Sequence, residues 1–136
     1  MSSMLSKPVL IGTALIAGLV AVVGTTTMAW SSRQENERVA RAMTGGDPSH
    51  APALMRRYGC GGCHTIPDLS GADGQVGPPL TDLRRRVYIG GAANNSPDNL
   101  VQWIVSPQTY SPRTAMPATG ITEAEARDVA AYLYSR

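Results

Sequence analysis

Two thiols and an imidazole fall within five consecutive positions, Cys60-Gly61-Gly62-Cys63-His64. On a helical turn, positions i, i+3 and i+4 share one face, so the three groups reach the same side of the backbone. A C-x-x-C-H run is the attachment site of c-type haem: each thiol forms a thioether with a porphyrin vinyl group while the imidazole reaches the iron. The run consumes both cysteines of the chain and one of its two histidines. The competing uses are a zinc site, a dithiol redox pair and a plain disulfide. Zinc calls for four ligands, and only His50 remains beside these three. A thioredoxin-type dithiol needs a βαβ context, and no stretch of this chain alternates convincingly enough to be a strand.

Haem iron takes a second axial ligand, and the candidates are His50 and a methionine. His50 lies just before the attachment turn, on the same side as His64, and reads as a surface or cap-proximal histidine. Met1, Met4 and Met28 belong to the N-terminal segment, Met43 to the stretch after it, and Met55 to a short helix where it reads as core. Met116 stands apart, in a loop between Pro112 and Pro117. Pro117 pushes it towards an extended backbone. It is the expected ligand, the alternative being a loop methionine that merely packs. His/Met ligation raises the reduction potential and closes both axial positions, which suits electron transfer and opposes binding of oxygen or peroxide.

The elements that must position these groups are helical. Asp47 or Ser49 can cap a short helix running to about Tyr58, with Leu54, Met55 and Tyr58 as its apolar contacts. Residues 64–80 are rich in Gly, Pro and Asp and read as loop; Thr81 to Val87 reads as one or two helical turns. Ser96-Pro97 marks an N-cap followed by proline at the first helical position. That helix carries Leu100, Trp103 and Ile104 on one face and stops near Ser106-Pro107. Thr122-x-x-Glu125 is a capping box opening a last helix with Ala126, Val129, Ala130 and Leu133 on one stripe.

The N-terminal part is of another kind. Residues 8–30 hold no charge, and the uncharged stretch between Lys7 and Arg33 spans about 37 Å as a helix, enough for a bilayer core. It reads as a transmembrane signal anchor, with a signal peptide cut near Ala29 as the alternative. The expected organisation is a cytoplasmic N-terminus at 1–7, the anchor at 8–30, a partly helical linker at 31–47 and a haem domain at 48–136. Within the linker, Glu37 is placed to pair with Arg41 four residues on. From Met43 onward eight Arg balance eight Asp or Glu, so the domain is neutral and lacks the basic surplus of a nucleic-acid binder. Arg84-Arg85-Arg86 reads as a solvated face.

These motifs taken together resemble the class I cytochromes c over residues 48–136. The resemblance rests on Tyr58-Gly59-Cys60-Gly61-Gly62-Cys63-His64, on Gly77-Pro78-Pro79-Leu80, on the Ala115-Met116-Pro117 loop and on the Val129-Ala130-Ala131-Tyr132-Leu133 helix. It implies an all-α class I cytochrome c fold with long loops around one covalent haem c, preceded by a single transmembrane helix. It further implies that the Pro78 carbonyl meets the other ring nitrogen of His64, that Leu80 packs on the proximal haem face, and that the last helix crosses the helix before the motif. Tyr88, Arg86 and Trp103 are candidates for the haem propionates; their plain readings are rim residue, solvated charge and core aromatic. Arg85-Arg86-Val87-Tyr88-Ile89-Gly90-Gly91 and the helix from Pro97 are similar to the cytochrome c domain fused to subunit II of some bacterial haem-copper oxidases. No cupredoxin segment accompanies them here, so a protein distinct from subunit II is expected.

The implied function is a membrane-tethered electron carrier between respiratory complexes, from a quinol–cytochrome c oxidoreductase to a terminal oxidase, with no small-molecule substrate. The haem domain is expected on the periplasmic or outer side of the bacterial cytoplasmic membrane. The alternatives are a fixed subunit of a larger oxidoreductase, and a haem enzyme or sensor whose methionine leaves the iron. Outside the anchor the chain is lean in apolar residues and has no Phe at all, so the porphyrin has to supply much of the core. The domain freed of haem should therefore lack a sharp, cooperative melting transition, which calorimetry of the apo and haem-loaded forms checks.

Overall fold

Two helix starts in this chain, at Ser96 and Thr122, are set by side chains that accept a free backbone N–H group. In the computed structural model, which describes residues 7–136 and their side chains from Ile11 onward, four α-helices follow one another: α1 (Lys7–Thr44), α2 (Ala51–Arg57), α3 (Pro97–Val105) and α4 (Glu123–Ser135). The expected cytoplasmic residues 1–6, with Met1 and Met4, lie outside the described residues. Contacts divide the chain into one unit ending at Gln34 and a second spanning Glu35–Arg136.

The first unit is the apolar part of α1, long and apolar enough to cross a membrane by length and composition. Leu15, Ile16, Leu19, Val20 and Trp30 are all exposed. Its hydroxyls are satisfied within the helix: Thr25, Thr26, Thr27, Ser31 and Ser32 each donate to the carbonyl three residues back, at 2.9 to 3.0 Å. Hydrogen bonding of that kind is what lipid requires of a polar side chain.

The second unit begins with the last turns of α1. The stretch expected as a linker is helical through Thr44, and its Ala40 and Thr44 are buried. Glu37 and Arg41 do not pair with each other; Arg41 meets Asp47 at 2.6 Å and Glu37 meets Arg136 at 3.1 Å. Tertiary partners outcompete an exposed i,i+4 pair because they hold both chains at once. Helix α2 starts later than expected. Asp47 spends its carboxylate on the N–H and hydroxyl of Ser49 and on Arg41, leaving His50 as a cap without a side-chain bond.

The cores of α3 and α4 follow the sequence pattern. Ser96 accepts from Asn99 N, Pro97 opens α3, and Leu100, Val101, Trp103 and Ile104 are buried. Thr122 and Glu125 form the capping box, and Ala126, Val129, Ala130 and Leu133 are buried on α4 together with Tyr132 and Tyr134. Helix α4 packs against both α2 and α3, so one terminal helix backs the whole haem domain. Between α2 and α3 the chain forms 3-10 turns at Cys60–Gly62 and Leu83–Arg85. One correction concerns strands: β1 (Tyr88–Ile89) pairs antiparallel with β2 (Ala93–Asn94). Two-residue strands are too short to show alternation, which is why sequence pattern missed them.

The Glu125 carboxylate lies below its ordinary pKa, chiefly because the Thr122 backbone N–H and hydroxyl donate to it, with Tyr58 and Arg57 adding to the effect. Its contribution to stability is therefore present above the ordinary carboxylate range and lost as pH falls through the lowered value. Thr122→Ala should cost about 1 kcal/mol, with Thr122→Ser close to the parent; denaturant titration of the haem-loaded protein measures both.

Candidate haem-binding site

The attachment turn is made by a helix that stops abruptly. Tyr58 closes α2 by donating to Leu54 O, and Gly59 takes a left-handed φ of 71° that only glycine adopts freely. The backbone then tightens, with Cys63 N and His64 N both donating to Cys60 O, at 3.2 and 3.0 Å. Cys60, Cys63 and His64 all belong to this turn. Both thiols are free and half-buried. Burial pushes the Cys60 thiol above its ordinary pKa, so it stays protonated at neutral pH.

His64 is oriented by one hydrogen bond. Its Nδ1 lies 2.8 Å from the carbonyl oxygen of Pro78. A carbonyl only accepts, so Nδ1 is the donor; in the neutral ring Nε2 then keeps its lone pair, the form in which imidazole binds a metal. The Pro78 loop is laid against the turn by Gly77 N donating to Cys63 O and Leu80 N donating to Thr65 O, both at 2.8 Å. Gly77 lies so close to the imidazole that a Cβ there would come within 2.3 Å of the His64 ring. No side chain fits between loop and ring while the ring stays where it is.

The other predicted residues are placed as follows. Leu80 is half-buried against the core. Arg86 donates from Nη2 to the carbonyls of Pro79 and Thr81. Trp103 is buried on α3, its six-membered ring against Gly90 and tilted towards Tyr110 at 6.4 Å between centroids. Tyr88 stands on β1 and is 59% exposed. Met116 packs on the edge of the core. Its main chain is pinned at both ends: the carbonyl accepts from Gln108 Nε2 at 2.9 Å and the N–H donates to Thr114 Oγ1 at 3.2 Å. His50 meets Asp128 at 3.0 Å with most of its side chain exposed, and Met55 is buried.

The close approach of Gly77, the two pins on Met116 and the role of Asn95 described below were not legible in the sequence. Only the glycine before the proline pair carried any signal. The residues present suit an iron porphyrin: two free thiols and an imidazole held through Nδ1 on one turn, Gly77 without a side chain beside the ring, and half-buried Leu80, Tyr110 and Met116 offering apolar surface. Among the described residues, no group of three or more His, Cys, Asp or Glu could hold a bare metal ion.

The family profile described as Cytochrome c matches residues 51–136. The chain belongs to the cytochrome c family. It is 34% identical over 83 residues to cytochrome c oxidase subunit 2 of Alkalihalophilus pseudofirmus, an alignment covering 60% of this chain and 23% of that relative. The chain thus matches less than a quarter of the relative's length. No solved structure matches. Within the family this is a mostly helical class I cytochrome c resembling the oxidase subunit II domain. In this cytochrome c, Gly77→Ala should force the His64 ring away from Pro78; the absorption spectrum of the haem-loaded variant should lose low-spin character, and an unchanged spectrum would contradict the close approach.

Proposed function

We propose that this cytochrome c is tethered to the bacterial cytoplasmic membrane through residues 8–30 and carries single electrons between respiratory complexes, from a quinol–cytochrome c oxidoreductase to a terminal oxidase. One observation carries the reading: an imidazole whose Nδ1 is committed to the Pro78 carbonyl, on the same turn as two free thiols. Cys60 and Cys63 would hold one haem c by adding their S–H groups across its vinyl groups. His64 and Met116 would bind the iron. Pro78 orients the imidazole, Leu80 lends apolar surface, and Arg86, Tyr88 and Trp103 are the candidates for the propionates. When bound, the haem supplies a one-electron ferrous–ferric couple.

The protein's own part is to hold the couple steady. Pins on both sides of Met116 favour a fixed ligand over a labile one, so carrier over haem enzyme or sensor. The His64–Pro78 bond keeps the proximal nitrogen aimed while the iron changes charge. The neutral haem domain has little charge to steer it towards a partner, and anchoring supplies effective concentration at the membrane instead. Similarity to an oxidase subunit supports a respiratory partner. The domain is assigned to the periplasmic or outer face, where covalent haem attachment takes place in the family.

Met116→Ala should lower the reduction potential and let carbon monoxide bind the reduced protein. Spectroelectrochemical titration and carbon monoxide difference spectra read the two effects. A variant with the parent's potential, spectrum and inertness to carbon monoxide removes Met116 as the ligand.

A further inference from the structure

The loop that orients His64 is held on its far side by a single side chain. Arg86 Nη2 donates to the carbonyls of Pro79 and Thr81, the residues on either side of Leu80 and directly after Pro78. Arg86 is held in its turn. Its own carbonyl accepts from Asn95 Nδ2 at 2.8 Å, and the same amide donates to Leu83 O at 2.8 Å. On its other side Asn95 Oδ1 accepts from the Tyr134 hydroxyl at 2.6 Å. Tyr134 is buried on α4, where burial pushes its pKa up to about 12, so it remains a donor throughout the physiological range. A continuous chain of hydrogen bonds runs from the terminal helix to the loop whose carbonyl meets His64.

We propose that Arg86 is a positioning residue for the histidine ligand of the iron: with Asn95 and Tyr134 it braces the Pro78 carbonyl against His64 Nδ1. The proposal rests on His64 being that ligand. A carbonyl accepting from Nδ1 makes the imidazole a stronger electron donor, and a stronger donor stabilises ferric over ferrous iron. A loop free to drift weakens the bond, so the brace holds the potential down. The two carbonyl bonds use one guanidinium nitrogen and leave the others able to meet a propionate, so the two roles are separated by measurement. A propionate partner would make the potential depend on the propionate's own titration, whereas the bond to a carbonyl does not titrate.

The test uses the full-length, haem-loaded protein in detergent. In the ferrous state, NMR follows solvent exchange of the His64 Nδ1 proton. Arg86→Met keeps the aliphatic stem and removes the donors, and exchange should quicken by about fivefold, the effect expected for the loss of one ordinary hydrogen bond. Arg86→Lys, which keeps a donor, should recover part of the protection. Loss of the cation by itself lowers the potential, so the potential is read in Asn95→Ala, which changes no charge: it should rise, and exchange should quicken there too. Exchange equal to the parent's in all three variants, with the parent's potential in Asn95→Ala, overturns the brace. So does an Arg86→Met protein with the parent's exchange whose potential gains a new pH dependence. Should Arg86→Met fail to fold, exchange in Asn95→Ala decides on the same terms. Failure of the ligand reading itself looks different, since a low-spin spectrum would then persist in His64→Ala.

Discussion

The hydrogen bond between His64 Nδ1 and the Pro78 carbonyl is the constraint around which the domain is arranged. An imidazole on an isolated turn can flip, rotate or exchange tautomers. Here the ring is denied all three, because its proton is committed to a carbonyl that cannot donate. For that carbonyl to stay in place, the loop 77–80 must lie flat on the attachment turn, and it does so only because Gly77 presents no side chain to the ring. The backbone bonds from Gly77 to Cys63 and from Leu80 to Thr65 then bind loop and turn into one body.

The helices serve this body from behind. Helix α2 delivers the turn and ends where Gly59 reverses the chain, and α4 packs across both α2 and α3. The start of α4 is tied to the end of α2 through Glu125, which accepts from Thr122 and also from the Tyr58 hydroxyl at 2.9 Å. Its far end carries Tyr132, bonded to Pro67 O at 2.6 Å, and Tyr134, bonded to Asn95. One terminal helix therefore touches the segment before the motif, the loop after it and the brace beyond. Tyrosines suit the task because each combines a large apolar body with one polar atom that reaches backbone or amide at the end of it.

What could be read from the sequence is what depends on neighbours in the chain. The caps at Ser96 and Thr122, the proline opening α3 and the apolar stripes of α3 and α4 are local, and they stand where the residue pattern puts them. The grouping of Cys60, Cys63 and His64 is local as well, since one turn makes it. What escaped is what depends on distant partners. Glu37 has a suitable cation four residues on, yet binds Arg136 at the other end of the chain. Asp47 looked like a cap and is spent on Arg41 and Ser49. Asn95 carries no motif, and its importance lies in three bonds to residues from Leu83 to Tyr134. Arg86, read as a solvated charge or a propionate partner, also holds two backbone carbonyls.

The same division explains how so lean a chain supports a redox centre. Without Phe and with few large aliphatic residues outside the anchor, the domain cannot rely on bulk packing to keep a loop still. It uses directed bonds where a larger core would use volume: tyrosine hydroxyls, an asparagine amide and a guanidinium, each ending on a backbone or amide oxygen. Directed bonds hold a particular atom at a particular distance, whereas apolar contact is tolerant of sliding. The proposed electron carriage would benefit from that difference, because any ligand shift at each transfer would add to the cost of the step. A polar brace around an apolar cofactor is therefore a consistent solution for a small domain, with the porphyrin supplying the area and the hydrogen bonds supplying the geometry.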